Sequence, residues 1–510
     1  MVSAENDAVQ GAKVGGVGDV LRDLPSALIH EGAEVRCVIP SYGFLARLEG
    51  VEKIAEVRLA FASKFNTVDV LRLKGKAGEC DHYIFHHEEF YLEDESVYHN
   101  DKDGRPFATD ARKFAFFNAC VAQALVQGIL PMPDILHCHD WHTAFLLILL
   151  RFDPSLASLN AIKTVFTIHN LAMQGIRPLT GDSSSFELWF PKLPYSPNMI
   201  KDPRYPDCIN PMRAGILLAD KVNTVSQRYA EEILRRSDHP HGKYGGDGLE
   251  SDIQVRKSRN ELFGILNGCE YPTRTKRRAL SKTHLAKIMA RSVELWASRH
   301  DTIKTAHWLA DKHIARWAKT KAVGMTITSI GRLTEQKIRI LHTSLPSGKT
   351  ALQAILDILG KSGTLILLGS GDQELERFIT DTAAINENFI FLNGYSDELS
   401  AALYDSGDLF LMPSSYEPCG ISQMLAMRSG QPCLVNGVGG LRDTVEHGKT
   451  GFVFEGDGSD EQAEALITLF QHVLTLFEEN PEKWKKVAKA AGEKRFTWGA
   501  AADQYLEMMY

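Results

Sequence analysis

Two clusters in the sequence combine positive charge with glycine or with a second cation, and both combinations suit phosphate groups. In the first, Gln10–Asp19, Lys13 stands beside Gly15 and Gly16, and a helical pattern follows at once. Glycines let the backbone approach an anion closely, and a helix N-terminus offers unpaired N–H donors. The spacing matches neither the dinucleotide-binding nor the P-loop fingerprint. From the residues alone, a phosphate loop and a structural turn are therefore equally good interpretations.

The second cluster, Gly331–Lys337, places an arginine and a lysine five residues apart after an apolar run. The guanidinium fork of Arg332 and the mobile ammonium of Lys337 suit the two phosphates of a diphosphate. The alternative is a surface salt bridge of one of these cations with Glu335. The pattern predicts a diphosphate clamp and leaves the salt bridge open.

Three further clusters, Ile135–Thr143, Thr167–Gly175 and Pro413–Gln423, place polar side chains after apolar runs. The first suggests zinc, but strand alternation sends its first two histidines to one face and its cysteine to the other. No HExxH or CxxC pair accompanies them, so we expect no metal there and favour a substrate-facing histidine in the turn. In the third cluster, Glu417 either caps a helix or binds sugar hydroxyls.

Two other motifs are rejected as binding sites. Gly369–Asp372 resembles a dinucleotide turn, but Glu374 replaces the third glycine of the fingerprint. Asp101 and Asp103 form a DxD pattern, a metal grip in one class of transferase, but they lie in a polar stretch that is typical of a turn.

The elements that must position these clusters alternate between short apolar runs and amphipathic helical stretches. Strands that are apolar throughout and separated by helices imply parallel sheets covered on both faces. The predicted strands are Val35–Pro40, Asp134–His139, Lys163–His169, Met325–Ile330, Thr364–Leu368, Phe389–Asn393, Leu409–Met412 and Pro432–Val435. Met1–Ala4 looks like the end of a strand whose start is missing or very short. Several polar clusters follow the carboxyl end of a predicted strand, where open α/β sheets bind ligands.

The strand pattern falls into two blocks, the first ending near Glu261 and the second starting near Lys321. Residues 274–321, between them, show helical spacing and thirteen Lys and Arg against three acidic residues. This segment is either a basic surface for a polyanion or a solvated helical insertion that packs its tryptophans on the second domain. We favour the insertion, because local charge alone is a weak signal.

Composition excludes some classes of function. A chain of 510 residues is too long for one compact hydrophobic core, so we expect two or three domains. Its net charge of −7 argues against an overall electrostatic attraction to nucleic acid. Its longest aliphatic run, Leu146–Leu150, is far too short to span a bilayer, and Met1–Gln10 lacks the apolar region of a secretory signal. The eight cysteines are scattered singly, which is typical of reduced thiols in a cytoplasmic protein.

Taken in order, these clusters resemble the motifs of bacterial glycogen synthases and plant starch synthases. The similar stretches are KVGGVGD, HCHDWHT, FTIHNLAMQG, AGILLADKVNTVS, ILNG, GRLTEQK, LLGSGDQELE, NGYSDEL, MPSSYEPCGISQ and GGLRDTV. Ten stretches in register over almost the whole chain make the resemblance specific. It implies an α/β fold of the GT-B type, with two Rossmann-like doubly wound parallel-sheet domains facing a central cleft.

The resemblance also implies a division of the chain into domains. Residues 1–262 would form an acceptor-side domain, and 263–485 a nucleotide-sugar-binding domain that carries the insertion 274–321. Residues 486–510 would form a helix that crosses back to the first domain.

Carried over position by position, the resemblance assigns six residues to the donor phosphates and nucleoside. Lys13 and the Gly15–Gly16 backbone would hold the phosphates from one side, with Asp19 near the nucleoside. Arg332 and Lys337 would clamp the diphosphate from the other side. Their fixed positive charge would stabilise the negative charge that grows on the departing nucleoside diphosphate.

The family pattern places a second group of residues around the transferred glucose. His142 and Asn267 would contact the sugar, and Glu417 would bind its hydroxyls together with the backbone of Cys419 and Gly420. We expect the catalytic residues to be His142, Glu417, Arg332 and Lys337.

The remaining implied contacts concern the base, the ribose and the acceptor. Tyr395 would stack on the adenine, Ser422 would lie near the ribose or phosphate, and Asp110 would lie near the acceptor. The implied partners are ADP-glucose as donor and glycogen or maltodextrin as acceptor, with no metal, cofactor, nucleic acid or membrane. A related enzyme that uses UDP-glucose or another acceptor, and a catalytically idle glucan- or nucleotide-binding homologue, remain open.

Overall fold

A computed structural model describes residues 1–101, 104–271, 280–299, 302–321 and 324–510. These residues form two compact units. The first comprises Met1–Ser237, Gly245–Gly268 and Thr497–Tyr510, and the second comprises Asp238–Tyr244 and Cys269–Phe496. Within the described ranges, no helix combines the length and apolar character needed to cross a membrane.

The first unit contains two four-stranded sheets, ordered β1-β4-β3-β2 and β10-β9-β6-β5, and a small pair β7-β8. The strands are β1 Arg36–Pro40, β2 Val51–Phe61, β3 Lys64–Leu73, β4 Asp81–His86, β5 Ile135–His139, β6 Lys163–Ile168, β7 Arg177–Pro178, β8 Cys208–Ile209, β9 Lys221–Thr224 and β10 Leu262–Gly264. Val2 joins the two sheets, because it forms parallel bridges with Cys138 of β5 and Val38 of β1.

Strands β2, β3 and β4 pair in an antiparallel manner, in a part of the chain where the sequence analysis named no strand. The buried and exposed residues of β2 alternate towards its end, as expected for a strand covered on one face, whereas the prediction relied on continuous apolar runs. The hairpin turn places Ala62 and Ser63 at positive φ, which suits the right-handed twist of the strands.

Eight α-helices of the first unit lie before Cys269, where the main part of the second unit begins. They are α1 Gly16–His30, α2 Ala108–Val126, α3 Ala144–Phe152, α4 Phe186–Trp189, α5 Pro197–Ile200, α6 Pro211–Leu218, α7 Gln227–Glu232 and α8 Glu250–Ser258. Helix α1 buries Val20, Leu21, Leu24 and Leu28 in a core that also contains Cys37. This packing fixes the helix whose first turn follows Lys13.

The second unit contains one six-stranded parallel sheet, ordered β13-β12-β11-β14-β15-β16. Its strands are β11 Thr326–Ile330, β12 Thr364–Leu368, β13 Phe389–Leu392, β14 Leu409–Met412, β15 Cys433–Asn436 and β16 Gly451–Phe454. This is the doubly wound strand order, which reverses direction between β11 and β14. The predicted α/β class with Rossmann-like sheets is confirmed, and each of the eight predicted strands is present with bounds shifted by at most one residue.

Ten helices of the second unit surround this sheet. They are α9 Lys282–Ala297, α10 Thr305–Lys319, α11 Glu335–His342, α12 Ala351–Leu359, α13 Gln373–Ile385, α14 Asp397–Ser406, α15 Ser422–Arg428, α16 Gly439–Thr444, α17 Ser459–Glu479 and α18 Pro481–Glu493. The last α-helix of the chain, α19 Trp498–Gln504, belongs to the first unit, where it packs against α1.

The predicted insertion forms α9 and α10, while its residues 274–279 and 300–301 lie outside the described ranges. Trp296 is buried and donates its indole N–H to the carbonyl of Tyr395 at 3.1 Å. Trp308 is 50% exposed and carries the ammonium of Lys312 3.5 Å above its ring. Trp296 therefore packs on the second unit as expected, whereas Trp308 is only half covered and one face of its ring meets Lys312.

Candidate active site

The loop before α1 is held by carboxylates of the first unit. Lys13 Nζ lies 2.6 Å from Asp19 Oδ1 and 3.1 Å from Asp7 Oδ2. Burial lowers the pKa of Lys13, but these two carboxylates outweigh that effect, so its pKa lies above the ordinary value. Lys13 therefore carries its positive charge at neutral pH, as a phosphate ligand requires.

Glu5 occupies backbone donors of the same loop. Its Oε2 accepts the N–H groups of Val14, at 2.8 Å, and of Gly15, at 2.5 Å, and its Oε1 accepts the hydroxyl proton of Tyr98 at 2.7 Å. An added Cβ at Gly16 would meet no atom within 4 Å, so an anion has open space there. The loop can bind an anion, and Glu5 already fills one anion position beside Gly15.

His142 lies in the single turn after β5 and is 8% exposed. Its ring lies against those of Trp141, Phe114 and Tyr98, at centroid distances of 4.2, 4.8 and 5.1 Å. Burial lowers the pKa of His142 well below its ordinary value. The ring is therefore a neutral hydrogen-bonding group at physiological pH rather than a cation.

Two other predicted residues of the first unit differ in how their polar atoms are satisfied. Asp110 is 3% exposed, pairs with Lys113 at 2.8 Å and accepts the N–H of His99 at 3.1 Å. Asn267 is also buried, but its Oδ1 has no hydrogen-bond partner among the residues that the structure describes. Because an unsatisfied buried acceptor is rare, Asn267 is the better placed of the two for a ligand.

Asp140 and His169 stand out as further candidates that the sequence analysis did not assign. Asp140 has a φ of 57°, uncommon for a residue other than glycine, and its Oδ1 accepts the N–H of His169 at 2.7 Å. Burial raises the pKa of Asp140 to about 7 and lowers the pKa of His169 to about 3. Strain and shifted pKa values are typical of functional sites. Both residues follow adjacent strands, β5 and β6, which was the available sequence signal.

In the second unit, a pocket opens at the carboxyl ends of β11 and β14, where the strand order reverses. Its lining includes Arg332, Lys337, Pro413 and Ser414. Arg332 is exposed, and Glu335 pairs with Arg339 at 3.7 Å, so the salt bridge kept as an alternative is not formed with the predicted cations. Ligands of doubly wound sheets bind at such reversal points.

Glu417 forms a close ion pair with Lys337, in which the side chain of Glu417 is 10% and that of Lys337 is 23% exposed. Ser414 also donates to Glu417, at 3.1 Å. Two glycines near this ion pair permit backbone positions that a larger residue would not. An added Cβ at Gly439 would lie 1.9 Å from the Glu417 carbonyl oxygen, and Gly420 has a φ of 76°.

The other predicted contacts of the second unit lie beside this ion pair or at the start of α14. Cys419 is buried next to Gly420, and Ser422 begins α15. Tyr395 precedes α14, is 62% exposed and donates its hydroxyl proton to Asp397 at 2.6 Å. An exposed, tethered aromatic ring suits stacking on a flat base.

The motifs excluded as metal sites have other roles. Asp101 accepts the backbone N–H of Thr109 at 3.0 Å and its hydroxyl proton at 2.7 Å, while Asp103 lies outside the described residues. The two ring nitrogens of His137 form hydrogen bonds with the hydroxyl groups of Thr167, at 2.6 Å, and Tyr510, at 2.7 Å.

Comparison with known proteins gives consistent matches in both units. The family model described as "Starch synthase catalytic domain" matches residues 1–255, and "Glycosyl transferases group 1" matches residues 324–472. The glycogen synthase of Desulfitobacterium hafniense is 32% identical, over 99% of this chain and 97% of its own. That of Clostridium novyi is 30% identical, with the same coverage of 99% and 97%.

Among solved structures, the catalytic domain of starch synthase IV from Arabidopsis thaliana, bound to ADP and acarbose, matches with a TM-score of 0.73. It is 24% identical over 99% of this chain and 97% of its own. Fold and matches together define a hexosyltransferase of the GT-B class. The chain belongs to the family of bacterial glycogen synthases and plant starch synthases, and its function is that of a glucan synthase with a nucleotide-sugar donor.

Proposed function

We propose that the protein transfers glucose from ADP-glucose to the non-reducing 4-hydroxyl of an α-1,4-glucan, with retention of configuration. The observation that carries the proposal is the pocket at the β11–β14 reversal. There the exposed guanidinium of Arg332 and the ammonium of Lys337 line one space, beside the carboxylate of Glu417. This arrangement combines cations for a diphosphate with an acceptor for sugar hydroxyls.

The chemistry follows from where charge develops. Breaking the bond between the anomeric carbon and the phosphate oxygen leaves an oxocarbenium-like sugar and adds negative charge to the nucleoside diphosphate. Arg332 and Lys337 stabilise that charge, and the family pattern adds Lys13 as a further phosphate ligand. The phosphate takes the proton of the attacking hydroxyl on the same face, so the reaction requires no glycosidase-like carboxylate pair.

The remaining predicted residues orient the substrates. Glu417 and the backbone at Cys419 and Gly420 hold the glucose hydroxyls, and neutral His142 and unsatisfied Asn267 contact the sugar from the first unit. The other assignments follow the same proposal: Gly15, Gly16 and Ser422 near phosphate or ribose, Asp19 near the nucleoside, Tyr395 on the adenine and Asp110 near the acceptor.

The test is ADP release from ADP-glucose with and without glycogen, run in parallel with UDP-glucose. The proposal expects acceptor-dependent release of ADP and elongated glucan that an α-1,4-specific amylase digests. Faster turnover of UDP-glucose would reject the donor assignment. Binding of ADP-glucose without any release of ADP when glycogen is present would instead identify an idle binding protein.

A further inference from the structure

Cys37 and Cys80 lie together in the core of the first unit, away from the candidate site. Their Sγ atoms are 3.4 Å apart, and the residues are 1% and 5% exposed. Cys37 lies on β1 opposite His82 of β4, and Cys80 precedes β4 directly. Because alternate residues of a strand face the same side, Cys80 and His82 share the face that Cys37 occupies.

A chain of hydrogen bonds gives these two thiols different characters. Asn6 Oδ1 accepts the N–H of Ala8 at 2.9 Å, which leaves the Asn6 amide nitrogen to donate to His82 Nδ1 at 3.2 Å. The His82 proton is therefore on Nε2, 4.0 Å from Cys80 Sγ, and Cys80 in turn donates to Cys37. The hydrogen bond from Cys80 lowers the pKa of the Cys37 thiol and raises that of Cys80.

The same three side chains have ligand atoms within 4.8 Å of one another, a spacing that a metal ion could also use. The tautomer disfavours a metal, because the Nε2 atom that faces the sulfurs carries a proton and would have to lose it before coordinating an ion. A histidine N–H group beside a pair of thiols instead favours the formation of a thiolate, which is the reactive form of cysteine.

We propose that Cys37 and Cys80 form a redox-modification site, which a peroxide converts into a disulfide and a dithiol reductant restores. The Cys37 thiolate attacks one peroxide oxygen, the O–O bond breaks, and Cys37 sulfenic acid and hydroxide form. The Cys80 sulfur then displaces the sulfenic hydroxyl, which takes up the Cys80 proton and leaves as water. Two thiols lose two electrons in total, and hydrogen peroxide is reduced to two waters.

The residues around Cys37 and Cys80 give the oxidant a route to the thiols, and their place in the core means that a disulfide would change the stability of the first unit. Cys80 follows an exposed turn at residues 76–79, whose brief opening would admit hydrogen peroxide. Both sulfurs lie in the core that packs on the buried face of α1. A bond between positions 43 residues apart would restrict the unfolded chain and raise the melting temperature of the first unit.

The experiment treats the full-length protein with hydrogen peroxide at stoichiometric to tenfold amounts, then blocks free thiols and maps peptides without reduction. We expect one linked peptide joining the segments of Cys37 and Cys80, an intact mass lower by two hydrogen atoms, a melting temperature higher by several degrees, and full reversal by dithiothreitol. Cys37→Ala and Cys80→Ala should each abolish the linked peptide, whereas Cys138→Ala, at another buried cysteine of the same unit, should retain it.

Three results would overturn the proposal. The first is a wild-type protein whose Cys37 goes on to the sulfinic acid without forming the linked peptide. The second is preferential linkage of a different cysteine pair. The third is one equivalent of tightly held zinc in the purified protein that protects both thiols and is released by p-chloromercuribenzoate. All three results are measured on the wild-type protein, so the proposal can be tested even if a cysteine variant fails to fold.

Discussion

Lys337 and Glu417 form an ion pair that joins the first turn of α11 to the segment after β14. A second link runs alongside it, because the N–H of Ser415 donates to the carbonyl of Gln336 at 2.9 Å. The ammonium proposed to face the diphosphate is thus held in place before a ligand arrives. Such preorganisation is the main way in which fixed charges lower a reaction barrier.

Glu417→Gln should lower kcat by about 10²-fold, the scale of losing one preorganised polar group in a site. The amide keeps the size and a hydrogen-bonding oxygen but no longer neutralises Lys337. The measurement is steady-state ADP release, with the melting temperature as a check of folding. Glu335→Gln is the matched control, because Glu335 lies on the exposed side of α11 and should retain wild-type kcat. An unchanged kcat in Glu417→Gln would remove Glu417 from the mechanism.

Arg332→Ala should reduce kcat by about 10²-fold or more, while the free energy of unfolding changes by less than about 0.5 kcal/mol because the side chain is exposed. Arg332→Lys should recover only part of the rate, since an ammonium lacks the planar fork. The control is Arg316→Ala, which removes another exposed arginine, on α10. Equal rates for Arg332→Ala and wild type would reject the diphosphate clamp.

The positions of the polar clusters were predictable, because the carboxyl ends of parallel strands meet at one edge of a sheet. Arg332 after β11 and Glu417 after β14 converge for that reason. The roles of Glu5 and Asp140 were not predictable. Glu5 acts by reaching the backbone of Gly15 ten residues on, and Asp140 acts through a positive φ and deep burial, neither of which residue types or spacing disclose. The antiparallel β2–β3 pair was missed because its strands are covered on one face only.

Tyr395→Ala should raise KM for the donor by roughly tenfold, with a smaller change in kcat, because stacking of a base on an aromatic ring contributes about 1–3 kcal/mol. Tyr395→Phe should stay near wild type, since the ring remains and only the hydrogen bond to Asp397 is lost. The measurement is donor KM with ADP-glucose and with UDP-glucose. If Tyr395→Ala leaves both KM values unchanged, the ring does not contact the base.

Asp110→Ala should destabilise the first unit by about 3 kcal/mol, because it leaves the buried ammonium of Lys113 without its partner. Replacing both residues, as Asp110→Leu with Lys113→Met, should restore much of the loss, since a buried ion pair gives little net stability over apolar side chains. Urea unfolding measures both effects. The proposed contact with the acceptor adds a separate expectation: the double variant, once folded, should show a raised KM for maltodextrin and an unchanged KM for the donor.

Asp140→Asn should stabilise the protein relative to wild type by an amount that grows with pH. Burial raises the pKa of Asp140 from 3.8 to about 7, so the folded state holds this proton more tightly than the unfolded chain does. The wild type therefore loses stability as pH rises from about 4 to about 7, and the loss is complete above that range. The amide does not ionise, yet its oxygen still accepts the N–H of His169.

At about 1.4 kcal/mol per pKa unit, the difference in unfolding free energy between Asp140→Asn and wild type should increase by about 1–3 kcal/mol between pH 5 and pH 8. Urea unfolding at each pH measures it. Asp134→Asn, at an exposed position just before β5, is the matched control, because it makes the same substitution where the side chain is in water. If the difference in unfolding free energy between Asp140→Asn and wild type does not change with pH, the Asp140 carboxyl is already ionised at pH 5 in the folded protein. Burial at the end of β5 would then not raise its pKa.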